Sequence, residues 1–132
     1  MKLNPDCIRD IHLTVEENTG YGNYMRYDED TEYERLKPYP IDEVLYHVQQ
    51  CEYSGLVAKV SYYMNPGCLI HDLSPKGHEF LANIRMETNW NKTKEIAKSV
   101  GSSSLDSITK IATCIKRGKP LLSEREPTRI KV

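Results

Sequence analysis

Along the chain, stretches in which apolar residues return every three or four positions alternate with stretches in which they do not. The first periodic stretch is announced by Asn4-Pro5, an N-cap side chain followed by proline at the first helical position, where a missing N–H is no loss. Ile8, Ile11, His12 and Val15 then share one face, with Arg9, Asp10, Glu16 and Glu17 off it, which predicts a helix with one buried stripe. Asn18-Thr19-Gly20 is expected to end it, with Gly20 or Asn18 in the left-handed conformation of a helix terminus. Residues 21–41 show no period, and a short strand is expected around Glu32 to Lys37, stopped by Pro38 and Pro40. Asp42 is the expected cap of a second helix, with Ile41 stapled onto Tyr46. Its inner face is Val44, Leu45, Val48 and Cys51, its outer face Glu43, Tyr46, His47, Gln50 and Tyr53, and Ser54-Gly55 is its stop.

Leu56 to Tyr63 is rich in Val and Tyr and reads as a strand. Asn65-Pro66-Gly67 is a turn, and Cys68 to Leu73 is the returning arm of a hairpin. Ser74-Pro75 repeats the opening signal and starts a third helix with Phe80, Leu81 and Ile84 inward. Trp90, Ile96, Ala97 and Val100 continue the helical period after a break near Thr88-Asn89, and Gly101 ends it. Ser103 and Asp106 have the spacing of a capping box with a shortened acid. They precede the stripe Leu105, Ile108, Ile111, Ala112 and Ile115, which Gly118 and Pro120 terminate. The tail holds two prolines among Lys119, Arg125, Arg129 and Lys131 and is expected to be extended or mobile.

Length and composition narrow the class. The 132 residues, 39% of them hydrophobic, suffice for one soluble domain and exclude two full ones. No stretch approaches the roughly 20 apolar residues of a membrane span, and the polar Met1-Lys2-Leu3-Asn4 lacks the apolar run of a secretory signal. Cys7, Cys51, Cys68 and Cys114 are scattered without a CxxC pair, as reduced thiols of a cytoplasmic protein would be. Charge changes the picture more. A net −1 divides into −7 over residues 1–55 and +6 over 56–132, the reverse of what a nucleic-acid grip in the N-terminal half would need.

The order of helix, short strand, helix, two-stranded hairpin and further helices is that of a winged-helix-like α+β domain in which the hairpin is the wing. The segment Asp42-Glu43-Val44-Leu45-Tyr46-His47-Val48-Gln49-Gln50-Cys51-Glu52-Tyr53-Ser54-Gly55-Leu56-Val57 resembles the recognition-helix segment of many winged helices. Leu73-Ser74-Pro75-Lys76-Gly77-His78-Glu79-Phe80-Leu81 resembles the Leu-Thr-x-x-Gly-x-x-Phe-Leu run that follows the wing. The opening Met1-Lys2-Leu3-Asn4-Pro5-Asp6-Cys7-Ile8-Arg9-Asp10, the helix before Gly55, and Gly77 to Arg85 through Trp90-Asn91-Lys92-Thr93-Lys94 together resemble the family of unknown function numbered 2513. The resemblance covers residues 1 to about 117 and implies a phage, prophage or bacterial setting, with no catalytic residues to carry over. The expected organisation is a winged-helix-like domain over 1–88, a C-terminal helical extension over 89–117 packed on it, and the tail over 118–132.

Two binding chemistries compete. The acidic, tyrosine-bearing stretch with Tyr24, Tyr27, Asp28, Glu29, Asp30, Glu32 and Glu34 reads as a contact surface for a basic protein, since Tyr supplies apolar area with a polar tip. The plainer reading is that these tyrosines cover the core and the carboxylates are a solvated face. The first reading gives a non-enzymatic accessory protein of a mobile element, in the bacterial cytoplasm, that blocks a host defence or nucleic-acid-binding factor. The alternative is a DNA-binding regulator. Tyr46, His47 and Gln50 would then meet base edges, with Lys59 on the wing and Lys92, Lys94 and Lys98 on phosphates. Asp42, Glu43 and Glu52 on the same helix oppose it. The Leu105 to Ile115 stripe serves core packing or a homodimer. His71-Asp72 and His78-Glu79 could meet as metal ligands or an acid–base pair. However, HExxH, G-x-S-x-G and a phosphate loop are all missing, so no metal, cofactor or catalysis is expected.

Overall fold

A computed structural model describes residues 1–63, 66–101 and 104–118. It divides into two compact units, Met1–Leu81 and Ala82–Val132. In the first, α1 (Pro5–Asn18) begins as expected: the Asn4 side chain accepts the Asp6 N–H at 3.1 Å. Its end differs. Thr19 is extended (φ −125), and neither Asn18 nor Gly20 is left-handed. Instead, Asn18 Nδ2 donates to the Thr14 carbonyl at 2.8 Å and Thr19 Oγ1 to that of Val15 at 2.7 Å. Side chains satisfy the last carbonyls, so a left-handed stop is not needed.

The strand expected at Glu32 to Lys37 lies earlier, as β1 (Met25–Asp28), and Glu34–Leu36 is a single 3₁₀ turn. Burial explains the shift. Met25 and Tyr27 are buried on either side of exposed Arg26, whereas Leu36 is the one buried residue between Glu32 and Lys37, leaving no alternating face for a sheet. Next, α2 (Ile41–Tyr53) starts directly after Pro40, with no side-chain cap. Asp42 is therefore inside the first turn, where it favours the positive helix end, and Ile41 is a helical residue and not a staple. Val44, His47, Val48 and Cys51 are its buried face, while Leu45 is only half-buried. Gly55 follows with φ +75, the left-handed stop the sequence announced.

The hairpin forms with a short first arm, β2 (Val60–Ser61), and β3 (Gly67–Ile70). Bonds from Ala58 N–H to the Asp72 carbonyl (2.9 Å) and from His71 N–H to that of Lys59 (3.0 Å) continue the pairing. The sheet is antiparallel with order β1-β3-β2. Met25 and Val60 both lie opposite Ile70, and all three are buried; Tyr27 opposite Cys68 repeats the pattern. With Ile8, Ile11, Val15, Leu56, Phe80 and Leu81 they form the core, each fully buried aliphatic or aromatic side chain contributing about 1.5–3 kcal/mol.

Ser74 caps α3 (Pro75–Ile84), its Oγ accepting the Gly77 N–H at 3.0 Å and donating to the Gly55 carbonyl at 2.6 Å. At Gly77 the helix meets the chain leaving α2 so closely that a Cβ would lie 1.9 Å from the Leu56 carbonyl oxygen.

The second unit takes the end of α3 and packs α4 (Glu87–Ser99) with α5 (Leu105–Arg117). The break before α4 is at Met86, upstream of the expected Thr88-Asn89. Trp90, Thr93 and Ala97 are its buried face, whereas Ile96 is half-buried and Val100 is exposed. Thr93 can go inside because its hydroxyl donates to the Asn89 carbonyl at 2.8 Å. Ser104 caps α5 through the Ser107 N–H; Ser103, like Asn65 of the hairpin turn and the tail from Lys119, lies outside the described residues. Leu105, Ile108, Ile111 and Ala112 are buried within one chain, Ile115 is half-buried, and Gly118 ends the helix with φ +70. Among the described residues, five helices and a small three-stranded antiparallel sheet make an α+β architecture consistent with a winged-helix-like domain plus C-terminal helices. The position of the first helix of a helix-turn-helix, between β1 and α2, holds only the 3₁₀ turn. No helix among the described residues is long and apolar enough to cross a membrane.

Candidate partner-binding surface

The acidic stretch is less free than its composition suggests. Tyr27 is buried in the sheet, with its phenol pushed up to about 12 by desolvation, so it is core and not contact surface. Tyr24 is half exposed, but its ring stacks on His71 at 3.9 Å between centroids. Asp28, at the end of β1, is a hub. One oxygen accepts the Asp30 N–H at 2.9 Å, and the other accepts the Tyr63 hydroxyl at 2.9 Å and faces Arg26 Nε at 3.2 Å. Desolvation works against its charge, but the Tyr63 hydroxyl, the Asp30 amide and the Arg26 guanidinium outweigh it and hold the carboxyl below its ordinary value. Glu29, Asp30, Glu32 and Glu34 remain exposed, Glu34 with Lys37 at 3.3 Å. Of these, Glu29 and Glu32 border a cleft of about 280 Å³ between the end of β1 and the 3₁₀ turn, lined also by Tyr33, Leu36 and Tyr39.

Other tyrosines serve the chain itself. Tyr33 donates to the Arg26 carbonyl at 2.5 Å and Tyr39 to Asp10 at 2.7 Å. Tyr62 donates to Glu52 at 3.2 Å. Burial, then the Glu52 charge, raises the Tyr62 pKa; burial, then the bond to Asp28, raises that of Tyr63 to about 12.

A second, larger cleft of about 480 Å³ lies between α2 and the end of the hairpin, lined by Leu45, Tyr46, Gln49, Tyr62, Tyr63, Asp42 and Met1. Sequence reasoning missed the Tyr62-Tyr63 half of it by placing both residues in a regular strand. The available signal was their position beside Pro66-Gly67, where a strand leaves its ladder and consecutive side chains are no longer bound to opposite faces.

Of the residues assigned to duplex reading, His47 is excluded from the surface. It is wholly buried; its Nε2 accepts the Asn4 N–H at 2.7 Å, and its Nδ1 lies 2.7 Å from the Glu43 carbonyl. The tautomer that satisfies both carries its proton on Nδ1. The ring thus ties the start of α1 to α2. Tyr46 and Gln50 are partly exposed and Lys59 is exposed. Lys92 and Lys98 are exposed on α4, and Lys94 lies over the Trp90 ring at 5.6 Å. These three belong to the second unit and Tyr46, Gln50 and Lys59 to the first.

The two histidine–carboxylate pairs meet only through His78 and Asp72. His71 lies under Tyr24, while His78 Nε2 is 3.7 Å from Asp72, whose oxygen already accepts from Thr19 Oγ1 at 3.1 Å and the Leu73 N–H at 2.7 Å. Among the described residues no group of three or more His, Cys, Asp or Glu is placed to hold a metal. Cys7 and Cys68 are buried, with thiols pushed up to about 12, mainly by desolvation; Cys51 is raised for the same reason.

The family described as Hypothetical protein (DUF2513) matches residues 2–104. An uncharacterized protein of Haemophilus influenzae is 33% identical over 118 residues, covering 87% of this chain and 95% of that protein. No solved structure matches.

Proposed function

The chain belongs to the DUF2513 family, and from the geometry of its first unit we propose that it is a non-enzymatic module that binds a protein with a basic surface. The observation that carries this reading is the outer side of α2. In a winged helix this element is offered to a duplex. Here it carries Asp42, Glu43 and Glu52, has no Lys or Arg, and flanks the tyrosine-lined cleft. Such a face repels phosphate and attracts cationic side chains. The exposed Glu29, Asp30, Glu32 and Glu34 extend the same sign along the first unit. Nucleic-acid-binding proteins are one class that presents the matching surface, so a host factor of that kind is the partner we favour.

The test is affinity capture from a bacterial host lysate, with wild type beside a variant carrying lysine at positions 29, 30, 32 and 34. A partner retained by wild type and lost by the variant supports the reading; retention by both removes residues 29–34 from it, and retention also after Asp42→Lys with Glu52→Lys overturns it. A second reading, a DNA-binding regulator, is favoured by one feature, the exposed Lys92 and Lys98 of α4 in a winged-helix-like architecture. Duplex binding that weakens steeply with salt and fails when those lysines become glutamate would move the function there.

A further inference from the structure

We infer that the cleft between α2 and the end of the hairpin is an anchor pocket for one arginine side chain of the partner. This deepens the protein-binding reading and rests on it. At about 480 Å³ the cleft is within the range of pockets that take a ligand group. Three of its lining residues are aromatic, Tyr46 from α2 and Tyr62 and Tyr63 from the chain leaving β2. A cation is attracted to the face of such rings by their quadrupole, and a planar guanidinium also stacks on them.

Two carboxylates stand behind the rings. Glu52 accepts the Tyr62 hydroxyl at 3.2 Å and Asp28 the Tyr63 hydroxyl at 2.9 Å. A phenol that donates to a carboxylate has a more electron-rich ring, so both bonds strengthen the pull on a cation while fixing the ring positions. Asp42 adds a direct negative charge at the wall, Gln49 an amide oxygen able to accept from a guanidinium N–H, and Leu45 an apolar surface for the aliphatic stem. No lysine or arginine is among the described residues that line the cleft. An anion would be repelled by Asp42, and a purely apolar side chain would gain nothing from Asp42 or from the Gln49 amide at the wall.

The experiment is an NMR titration of the full ¹⁵N-labelled chain with an acetylated, amidated Gly-Leu-Arg-Leu-Gly peptide and with the same peptide carrying citrulline, the uncharged isostere, in place of arginine. The expected result is saturable shifts of amides in 42–49 and of Tyr62, Tyr63 and Gly67, with binding about tenfold weaker for the citrulline peptide and about tenfold weaker for Tyr62→Leu, the scale of a partly desolvated cation–π contact. Equal binding of both peptides overturns the proposal, as do shifts confined to residues 28–39, or no saturation with the arginine peptide at millimolar concentration. So does a concentration-dependent dimer in sedimentation that Tyr62→Leu abolishes, because the occupant is then a second copy. Tyr62→Leu is also carried through the lysate capture. A partner that binds Tyr62→Leu as it binds wild type, yet is lost on reversing positions 29, 30, 32 and 34, overturns the pocket and leaves the protein-binding reading standing.

Discussion

The two units are built by similar local rules and carry opposite charge. Residues 1–81 hold seven basic and fourteen acidic side chains, whereas 82–132 hold eleven and five. The sign is plain on the 13-residue α2, with Asp42, Glu43 and Glu52 and no cation, and weaker on the 13-residue α4, where Lys92, Lys94 and Lys98 stand against Glu87 and Glu95. Their interiors differ as well. Both bury threonines whose hydroxyls return to their own helix, Thr14 to Asp10 in the first and Thr93 to Asn89 and Thr109 to Asp106 in the second, but among the described residues only the first buries histidines, His12 and His47. Helix order and sheet pairing are therefore a poor guide to what a winged-helix-like chain binds. The buried face of α2 follows the period that packing requires, and its outer face is left open to selection for a ligand.

The largest expected effect tests how tightly the first unit is closed. Gly77→Ala places a methyl group where the Leu56 carbonyl oxygen stands, and that carbonyl also accepts the Ser74 N–H at 3.0 Å. Backbone cannot yield as a flexible side chain would, so the loss is expected to reach about 3 kcal/mol. Reporters for the two units are already in the sequence, since all nine tyrosines lie between Tyr21 and Tyr63 and the single tryptophan is Trp90. Near-ultraviolet tyrosine signals should show a melting midpoint lower by about 10 °C. A Gly77→Ala protein as stable as wild type would refute the close approach.

Next in size is a response to acid that belongs to the first unit. His12 is wholly buried, its Nδ1 lies 2.8 Å from the Ile8 carbonyl, and its Nε2 has no partner. Desolvation lowers its pKa to about 4, against 6.5 for the free side chain. Between those values the unfolded chain binds the proton and the folded chain does not. The contribution is complete above pH 6.5 and is lost as pH falls toward 4, by about 3 kcal/mol. Denaturant midpoints followed by tyrosine signals should fall over that interval, and His12→Leu should flatten the fall while costing little at pH 8. An unchanged slope in His12→Leu would assign the acid response to other groups.

How much of this was legible depended on whether the signal was local. Asn4-Pro5, Ser54-Gly55, Ser74-Pro75 and Gly118 each declare an element boundary within two residues, and each was read correctly. The period of α2 also contained its buried face, since Val44, His47, Val48 and Cys51 are spaced three and four apart. Reading histidine as polar put His47 outside and Leu45 inside, and the Asn4 N–H that satisfies the ring comes from a residue 43 positions away. The strand at Met25–Asp28 is four residues whose alternation is overshadowed by the carboxylates that follow. The glycine of the run after the wing was visible as a motif, but its cause, the Leu56 carbonyl, exists only once two distant segments meet. For the candidate site the sequence supplied the charge and the residue type. It could not show that Asp28 is occupied by Tyr63 and Arg26, or that Tyr62 and Tyr63 turn to one cleft.

A smaller effect would test the charge contrast directly. Wild type should bind a short duplex only weakly and non-specifically, with Lys92→Glu and Lys98→Glu removing what there is. Asp42→Lys with Glu52→Lys should raise the affinity several-fold at low salt, as new phosphate contacts release counterions. The contrast breaks if wild type binds tightly through α2, shown by loss of binding in Tyr46→Ala or Lys59→Glu.

The finest comparison uses the thiols as clocks for local opening. Cys7, Cys51 and Cys68 are completely buried in the first unit, and Cys114 of α5 is half-buried. Alkylation needs both access and a thiolate. Desolvation denies the first three the charge as well as the contact, raising Cys7 and Cys68 to about 12 and Cys51 in the same direction. With iodoacetamide at pH 8, mass spectrometry should show Cys114 modified first, and the other three only at the rate at which the first unit opens. Gly77→Ala should accelerate Cys51 in particular, because the Leu56 N–H donates to the Cys51 carbonyl at 2.9 Å and a displaced Leu56 loosens the end of α2. If Cys51 instead reacts as fast as Cys114 in wild type, the end of α2 already opens freely, and a cleft that depends on Glu52 to hold Tyr62 would lose its fixed wall.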